Sequence, residues 1–124
     1  MTLVADRVLP TLRGTVEASA SLADFIWFRT GGAAETLVRP ADLDDLREYL
    51  ATLPATVPVM PIGVGSNLIV RDGGVAGVVV RLSKAFATVT VGGDAVRAGA
   101  AAMGITVASK ARDAGLAGLE FLRG

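Results

Sequence analysis

The chain has 124 residues, of which 52% are apolar and 19% are charged, and its 12 basic and 12 acidic side chains balance. This composition fits one globular domain, or part of a larger one. It argues against a disordered chain and against nucleic-acid binding through a basic field.

The sequence contains neither Cys nor His. Disulfides, thiolate nucleophiles, Ser-His-Asp triads and His- or Cys-ligated metals are therefore excluded. We expect any chemistry to come from a bound cofactor or from residues outside this chain.

The first half of the chain predicts a strand–helix–strand unit. A short helix is expected over residues 2–9, and the aromatic-rich residues 25–28 are expected to cover an edge of the core. Residues 34–38 predict a strand and residues 57–62 a second one. Between them, residues 42–53 predict a helix that presents one apolar face made of Leu43, Leu46, Leu50 and Leu53. Its acidic first turn (Asp42, Asp44 and Asp45) suits a helix N-terminus and is interpreted as solvated rather than as a metal site.

The second half predicts two strands, a hairpin and a helix. Residues 68–70 form a short expected strand before the turn at residues 72–74, and residues 75–82 are apolar enough to be covered on both faces. Glycines between residues 87–91 and 95–98 predict a hairpin. Residues 105–114 predict a helix that Gly115 ends in a left-handed conformation.

Neither a targeting segment nor a membrane helix is expected. The first ten residues include two charges where a secretory signal is apolar. The uncharged residues 49–70 are interrupted by three prolines and two glycines, which break a spanning helix. We expect a cytoplasmic protein.

The sequence Gly63-Val64-Gly65-Ser66-Asn67 is the strongest candidate binding motif. It lacks the third glycine and following helix of a Rossmann fingerprint, and the Lys of a Walker loop. The glycines permit positive φ and close approach of an anion, and successive N–H groups in such a turn form an anion-binding concavity. The loop is therefore a candidate pyrophosphate site. The alternative is a glycine turn whose Ser and Asn bond only their own backbone.

Three segments in order resemble a known family: residues 27–32 (WFRTGG), residues 61–74 (PIGVGSNLIVRDGG) and residues 115–124 (GLAGLEFLRG). They are similar to the N-terminal part of the UDP-N-acetylenolpyruvoylglucosamine reductases, flavoenzymes of peptidoglycan precursor synthesis. The resemblance implies an α+β FAD-binding fold of the p-cresol methylhydroxylase and vanillyl-alcohol oxidase type. It implies an N-terminal segment (residues 1–24), a first FAD-binding subdomain (residues 25–82) and the start of a second, truncated one (residues 83–124).

The resemblance also implies a cofactor and a substrate. FAD would be bound non-covalently, NADPH would reduce it, and the flavin would reduce UDP-N-acetylglucosamine enolpyruvate to UDP-N-acetylmuramate. The residues expected to contact FAD, called the glycine loop below, are Ile62, Gly63, Val64, Gly65, Ser66, Asn67 and Leu68. We expect no metal, nucleic-acid or membrane partner.

The resemblance places the family's catalytic serine, glutamate and arginine beyond Gly124. No catalytic role is therefore assigned to Ser66, Ser83, Ser109, Glu120 or any Arg of this chain, and the chain alone is expected to be inactive. We expect it to self-associate through apolar residues 75–80 and 116–122. Two alternatives remain: the flavin domain of another oxidase or dehydrogenase of this fold, and a non-catalytic α+β binding module.

Overall fold

The computed structural model describes residues 2–4 and 7–123, and it describes side chains from residue 10 to residue 123. The strands are β1 (Thr2–Val4), β2 (Arg7–Leu9), β3 (Thr15–Ser21), β4 (Ala33–Arg39), β5 (Val59–Ile62), β6 (Val75–Arg81), β7 (Val89–Gly92) and β8 (Ala95–Ala98). The helices are α1 (Leu43–Thr52) and α2 (Gly104–Asp113). Short 3₁₀ turns lie at Ala23–Phe25, Lys84–Phe86 and Glu120–Arg123.

A four-stranded sheet with the order β3-β4-β6-β5 forms the centre of the fold. Strand β3 is antiparallel to β4, whereas β6 runs parallel to both of its neighbours, β4 and β5. Residues 15–21, which the resemblance leaves in the N-terminal segment, thus form an edge strand of this sheet. The prediction that the Val-rich strand is covered on both faces is confirmed, because Val78, Val79 and Val80 are all buried.

Strand β6 supplies both apolar cores because its side chains alternate between the two faces of the sheet. Val78 and Val80 belong to the core that α1 covers. Val79 belongs to the core on the other face, with Ile26 and Ile62. Residues 77–80 therefore lie inside the protein, whereas Val75 is partly buried and Ala76 is exposed. The expectation that residues 75–80 form a continuous exposed apolar surface for self-association is wrong.

Two predicted elements are absent from the structure. Residues 2–4 and 7–9, expected to be helical, form the antiparallel pair β1 and β2, since their β-branched residues favour extended backbone. Residues 68–70, expected to be a strand, belong to no sheet. This segment instead packs on another loop: the Gly32 N–H donates to the Arg71 carbonyl at 2.9 Å, and a Cβ on Gly31 would collide with the backbone of Val70.

Helix α1 packs on the core through only half of the predicted leucine stripe. Leu46 and Leu53 pack against the core, but Leu43 and Leu50 are exposed, and Asp45 and Tyr49 are buried. The leucine pattern was incomplete because the helix also packs through an acidic residue.

The interpretation of Asp45 as solvated is wrong. Its carboxylate is 2% exposed and accepts backbone N–H bonds from Arg13 at 2.8 Å, Gly14 at 2.9 Å and Ala41 at 2.8 Å. Burial alone would raise the pKa of Asp45, but these donors and the Arg13 charge outweigh burial and hold the pKa below its usual value. The carboxylate therefore ties the segment before β3 to the start of α1. Asp42, expected in the first turn of the helix, forms its N-cap and accepts the Asp45 N–H at 2.9 Å.

The predicted hairpin and second helix are confirmed. Strands β7 and β8 pair from Val89↔Ala98 to Gly92↔Ala95. At the end of α2, Gly115 has φ +74° and donates its N–H to Arg112, while Leu116 donates to Ala111. This is the Schellman motif that a C-terminal glycine favours. Among the described residues, neither helix is long and apolar enough to cross a membrane.

Candidate functional site

The glycine loop follows the carboxyl end of β5, which in open sheets with parallel strands is the usual side for ligand binding. Its residues line a groove of about 270 Å³ together with Met60 and Pro61. The seven sequence-predicted FAD contacts are consecutive residues of this one segment. Six of them line the groove, whereas Val64 lines a neighbouring cavity.

Two carbonyl groups of the glycine loop are held by neighbouring segments. The Trp27 N–H donates to the Gly65 carbonyl at 3.2 Å. The Arg81 guanidinium, at the end of β6, donates through Nη1 to the Gly63 carbonyl and at 2.8 Å to the Leu82 carbonyl. The loop is thus fixed through its acceptors rather than through its donors.

The N–H groups of residues 63–68 make no hydrogen bond to any residue that the structure describes. The same holds for the Ser66 hydroxyl and the Asn67 amide. Six consecutive free N–H donors, two glycines and two polar side chains fit a bound anion, since fixed backbone dipoles attract negative charge. The structure therefore offers donors for a pyrophosphate group without a dedicated lysine.

Gly65 is required for a reason that the sequence did not reveal. Its φ is +70°, and a Cβ there would lie well inside 3.0 Å of the Phe25 carbonyl oxygen. The space beside the Gly65 Cα, which the sequence suggested was open to a ligand, is occupied by the Phe25 carbonyl. At Gly63, in contrast, a Cβ would lie 3.3 Å from the Ala100 carbonyl oxygen and 3.9 Å from the Ala101 Cα.

A basic cavity of about 470 Å³ adjoins the glycine loop through Val64. Arg81 and Arg29 line it, beside Asp24 and Trp27. The guanidinium carbons of Arg39 and Arg81 lie 4.4 Å and 5.8 Å from the centre of the Phe25 ring. Burial, and secondarily the charge of Arg39, lowers the pKa of Arg81.

Residues 25–28 only partly cover the core as expected. Ile26 is buried, but Trp27 and Phe28 are 66% and 56% exposed. The contacts of this segment and of Arg81 with the glycine loop were not predicted from the sequence. The one sequence signal for the Arg81 contact was a charged residue at the end of the otherwise apolar strand β6. Among the described residues, no group of three or more acidic side chains is placed to hold a metal ion.

Comparison with known proteins finds relatives in which more than half of the aligned residues are identical. No protein-family model matches the chain. UDP-N-acetylenolpyruvoylglucosamine reductase from Paramagnetospirillum magneticum is 58% identical over 117 residues, and the match covers 94% of this chain and 38% of that protein. The enzyme of the same name from Rhizorhabdus wittichii is 59% identical over 116 residues, covering 93% and 38%. The chain matches the N-terminal part of the UDP-N-acetylenolpyruvoylglucosamine reductases.

A solved reductase of this family supports the fold. The crystal structure of UDP-N-acetylenolpyruvylglucosamine reductase from Thermus caldophilus matches 92% of the chain with a TM-score of 0.66 and 31% sequence identity. The α+β fold of the p-cresol methylhydroxylase type is therefore confirmed. The chain spans about 38% of the length of these reductases and corresponds to their N-terminal part.

Proposed function

We propose that the chain is the FAD-binding part of a reductase that uses NADPH to reduce UDP-N-acetylglucosamine enolpyruvate to UDP-N-acetylmuramate in peptidoglycan synthesis. The observation that carries this proposal is the row of six free N–H donors in a loop of the chain's family-matching region. Because NADPH and nucleotide sugars are cytoplasmic metabolites, the proposal includes a cytoplasmic location.

The residues of the glycine loop would hold the pyrophosphate of FAD. The N–H groups of residues 63–68 would donate to its oxygens, with the Ser66 hydroxyl and Asn67 amide as further donors. Without Cys or His, the chain offers neither of the usual side chains for a covalent flavin link. When bound, the flavin supplies hydride transfer, and the role of this chain is to bind and orient it.

The subdomain boundaries belong to the same proposal. Residues 25–82 would form the first FAD-binding subdomain and residues 83–124 the start of the second. In support, the glycine loop faces the second segment: Gly63 lies against Ala100, in the connection between β8 and α2.

Calorimetric titration of the 124-residue chain tests the pyrophosphate site. We expect FAD and ADP, which both carry a pyrophosphate, to bind, and riboflavin, which carries none, to bind much more weakly. Binding of riboflavin as tight as that of FAD would contradict a pyrophosphate site. Absence of FAD and ADP binding would leave the loop as a simple glycine turn and the chain as a binding module of another kind.

The Ser66→Ala substitution tests one side-chain donor. A hydrogen bond to a charged group contributes about 1.5–3 kcal/mol, so losing it is expected to weaken FAD binding about tenfold or more. Ser83→Ala is the matched control, since Ser83 is exposed and its side chain makes no capping bond. Equal FAD affinities for the two variants would remove Ser66 from the site.

A further inference from the structure

The Arg81 side chain contacts the glycine loop from the neighbouring strand. It lies at the last position of β6, opposite Ile62 in the parallel pairing with β5. From there Nη1 donates to the carbonyl of Gly63, the first residue after β5, and to the carbonyl of Leu82. One guanidinium therefore links the start of the loop to the chain that leaves the central strand.

This contact fixes which groups of the loop remain free. A peptide unit presents its carbonyl and its N–H in opposite directions, so a held carbonyl orients the N–H on the other end of the same peptide. The carbonyl of Gly63 shares its peptide with the N–H of Val64, and the carbonyl of Gly65 with the N–H of Ser66. Arg81 holds the first peptide and the Trp27 N–H holds the second.

The glycine loop needs this restraint because its backbone is intrinsically permissive. Gly63 and Gly65 lack the Cβ that limits φ and ψ, so an unrestrained loop samples many orientations of its donors. A ligand that requires one orientation binds with an affinity reduced by the fraction of loops in that orientation. Restraints on the carbonyl side therefore increase affinity for an anion without contacting it.

We propose that Arg81 is a positioning residue for anion binding: its contact with the Gly63 carbonyl fixes the Gly63–Val64 peptide and so restricts the orientations open to the N–H donors of residues 63–68. This inference rests on the proposed function of the glycine loop as a pyrophosphate site. It assigns Arg81 a role through the loop, and no contact with the ligand.

The Arg81→Met variant tests the role with two readouts on the 124-residue chain. If the binding-competent loop falls to about one tenth of the population, the dissociation constants for ADP and FAD rise about tenfold. Without ligand, the ¹⁵N order parameters of residues 63–68 are expected to fall from about 0.85 toward 0.6, while those of β6 stay unchanged. Arg97→Met, which removes an exposed strand arginine, is the matched control and is expected to change neither readout.

Arg81→Lys separates positioning from simple charge attraction. Lysine keeps the charge, but it replaces the planar guanidinium, whose Nη1 contacts both carbonyls, with a compact ammonium on a more flexible stem. We expect it to recover only part of the affinity and part of the loop order. Should Arg81→Met not fold, the lysine variant carries the test with the same readouts.

Two results would overturn the inference: an unchanged ADP affinity in Arg81→Met, or weaker binding with unchanged order parameters and full recovery by lysine. If the unmodified chain binds neither ADP nor FAD, the proposed function fails. The order parameters then still decide whether Arg81 holds the loop.

Discussion

Replacing Gly65 with alanine is predicted to destabilise the protein in the absence of any ligand. The left-handed conformation, φ +70°, costs a residue with a Cβ about 1–2 kcal/mol. The added Cβ would also collide with the Phe25 carbonyl oxygen, a backbone atom. Relieving such overpacking by backbone movement costs about 1–3 kcal/mol more. The free energy of unfolding should therefore fall by about 2–5 kcal/mol.

Comparison with Gly93→Ala separates the cost of the collision with Phe25 from the cost of the left-handed backbone. Gly93, in the turn between β7 and β8, also has a left-handed backbone, with φ +59°, but a Cβ there would meet no atom within 4 Å. This control should cost only the conformational 1–2 kcal/mol. Urea unfolding of the two variants without FAD measures the difference, which should be at least about 1 kcal/mol. Equal stabilities would show that the glycine loop does not pack on Phe25 as the structure has it.

Because Gly65 packs against Phe25, a substitution at Gly65 is a poor test of whether a ligand approaches the loop backbone. The sequence alone favours Gly65→Val as the test, on the reasoning that a side chain would exclude the phosphate. Because that variant also disrupts the contact with Phe25, its loss of FAD binding would have two causes. Gly63→Ala is the cleaner test, since its new Cβ would meet one carbonyl oxygen at 3.3 Å and φ is not left-handed there. We expect Gly63→Ala to reduce FAD affinity more than it reduces stability, and calorimetry with urea unfolding compares the two.

Four further predictions concern Asp45, its pH dependence, the activity of the chain and its self-association. Asp45→Asn removes the charge that accepts three N–H bonds and should lower the free energy of unfolding by about 2–4 kcal/mol, or the melting temperature by about 10 °C; a change below 2 °C would contradict this. Folding lowers the pKa of Asp45, so its ionised carboxylate stabilises the protein fully above the unfolded pKa of about 3.9. This stabilisation is lost as the pH falls below that value. In acid-unfolding curves, the stabilities of the parent and of Asp45→Asn should therefore converge below about pH 4. The 124 residues alone should show no substrate-dependent NADPH oxidation while a full-length relative assayed in parallel does, and activity of the chain would refute this. Self-association should depend on exposed apolar side chains, above all Phe121 in the C-terminal 3₁₀ turn. Sedimentation should therefore give a smaller species for Phe121→Asp than for the parent. A parent that stays monomeric at high concentration would contradict this prediction.

Much of the fold could be predicted because local patterns and tertiary structure agree. The Val-rich strand became β6, the glycine pair marked the β7–β8 turn, and Gly115 ended α2. In each case one short-range cause, such as apolar burial on both faces or the freedom of glycine, decides the outcome.

The failures come from contacts distant in sequence. The burial of Asp45 depends on N–H groups more than 30 residues away, which no helical pattern contains. Gly77 adopts φ +79° inside β6 and donates its N–H to Glu35 at 2.6 Å, where the register between β4 and β6 shifts. A glycine within a strand is the only sequence signal for such an irregularity.

In the candidate site, too, local features could be predicted from the sequence and contacts between distant segments could not. The glycine loop was identified from its own residues, since glycine, serine and asparagine carry the anion-binding pattern locally. The partners that hold it, Arg81 and the backbone at Phe25 and Trp27, come from other elements and needed the structure.

Backbone amide NMR with FAD titration tests the central claim most directly, because it reports on each donor separately. The largest chemical-shift changes are predicted at the six N–H groups of residues 63–68, with saturation at one common dissociation constant. The N–H of Gly74, in the nearby turn and already bonded to the Arg71 carbonyl, serves as the internal reference and should shift little. Binding of FAD with the largest shifts elsewhere, and residues 63–68 unchanged, would contradict the assignment of the pyrophosphate site to the glycine loop.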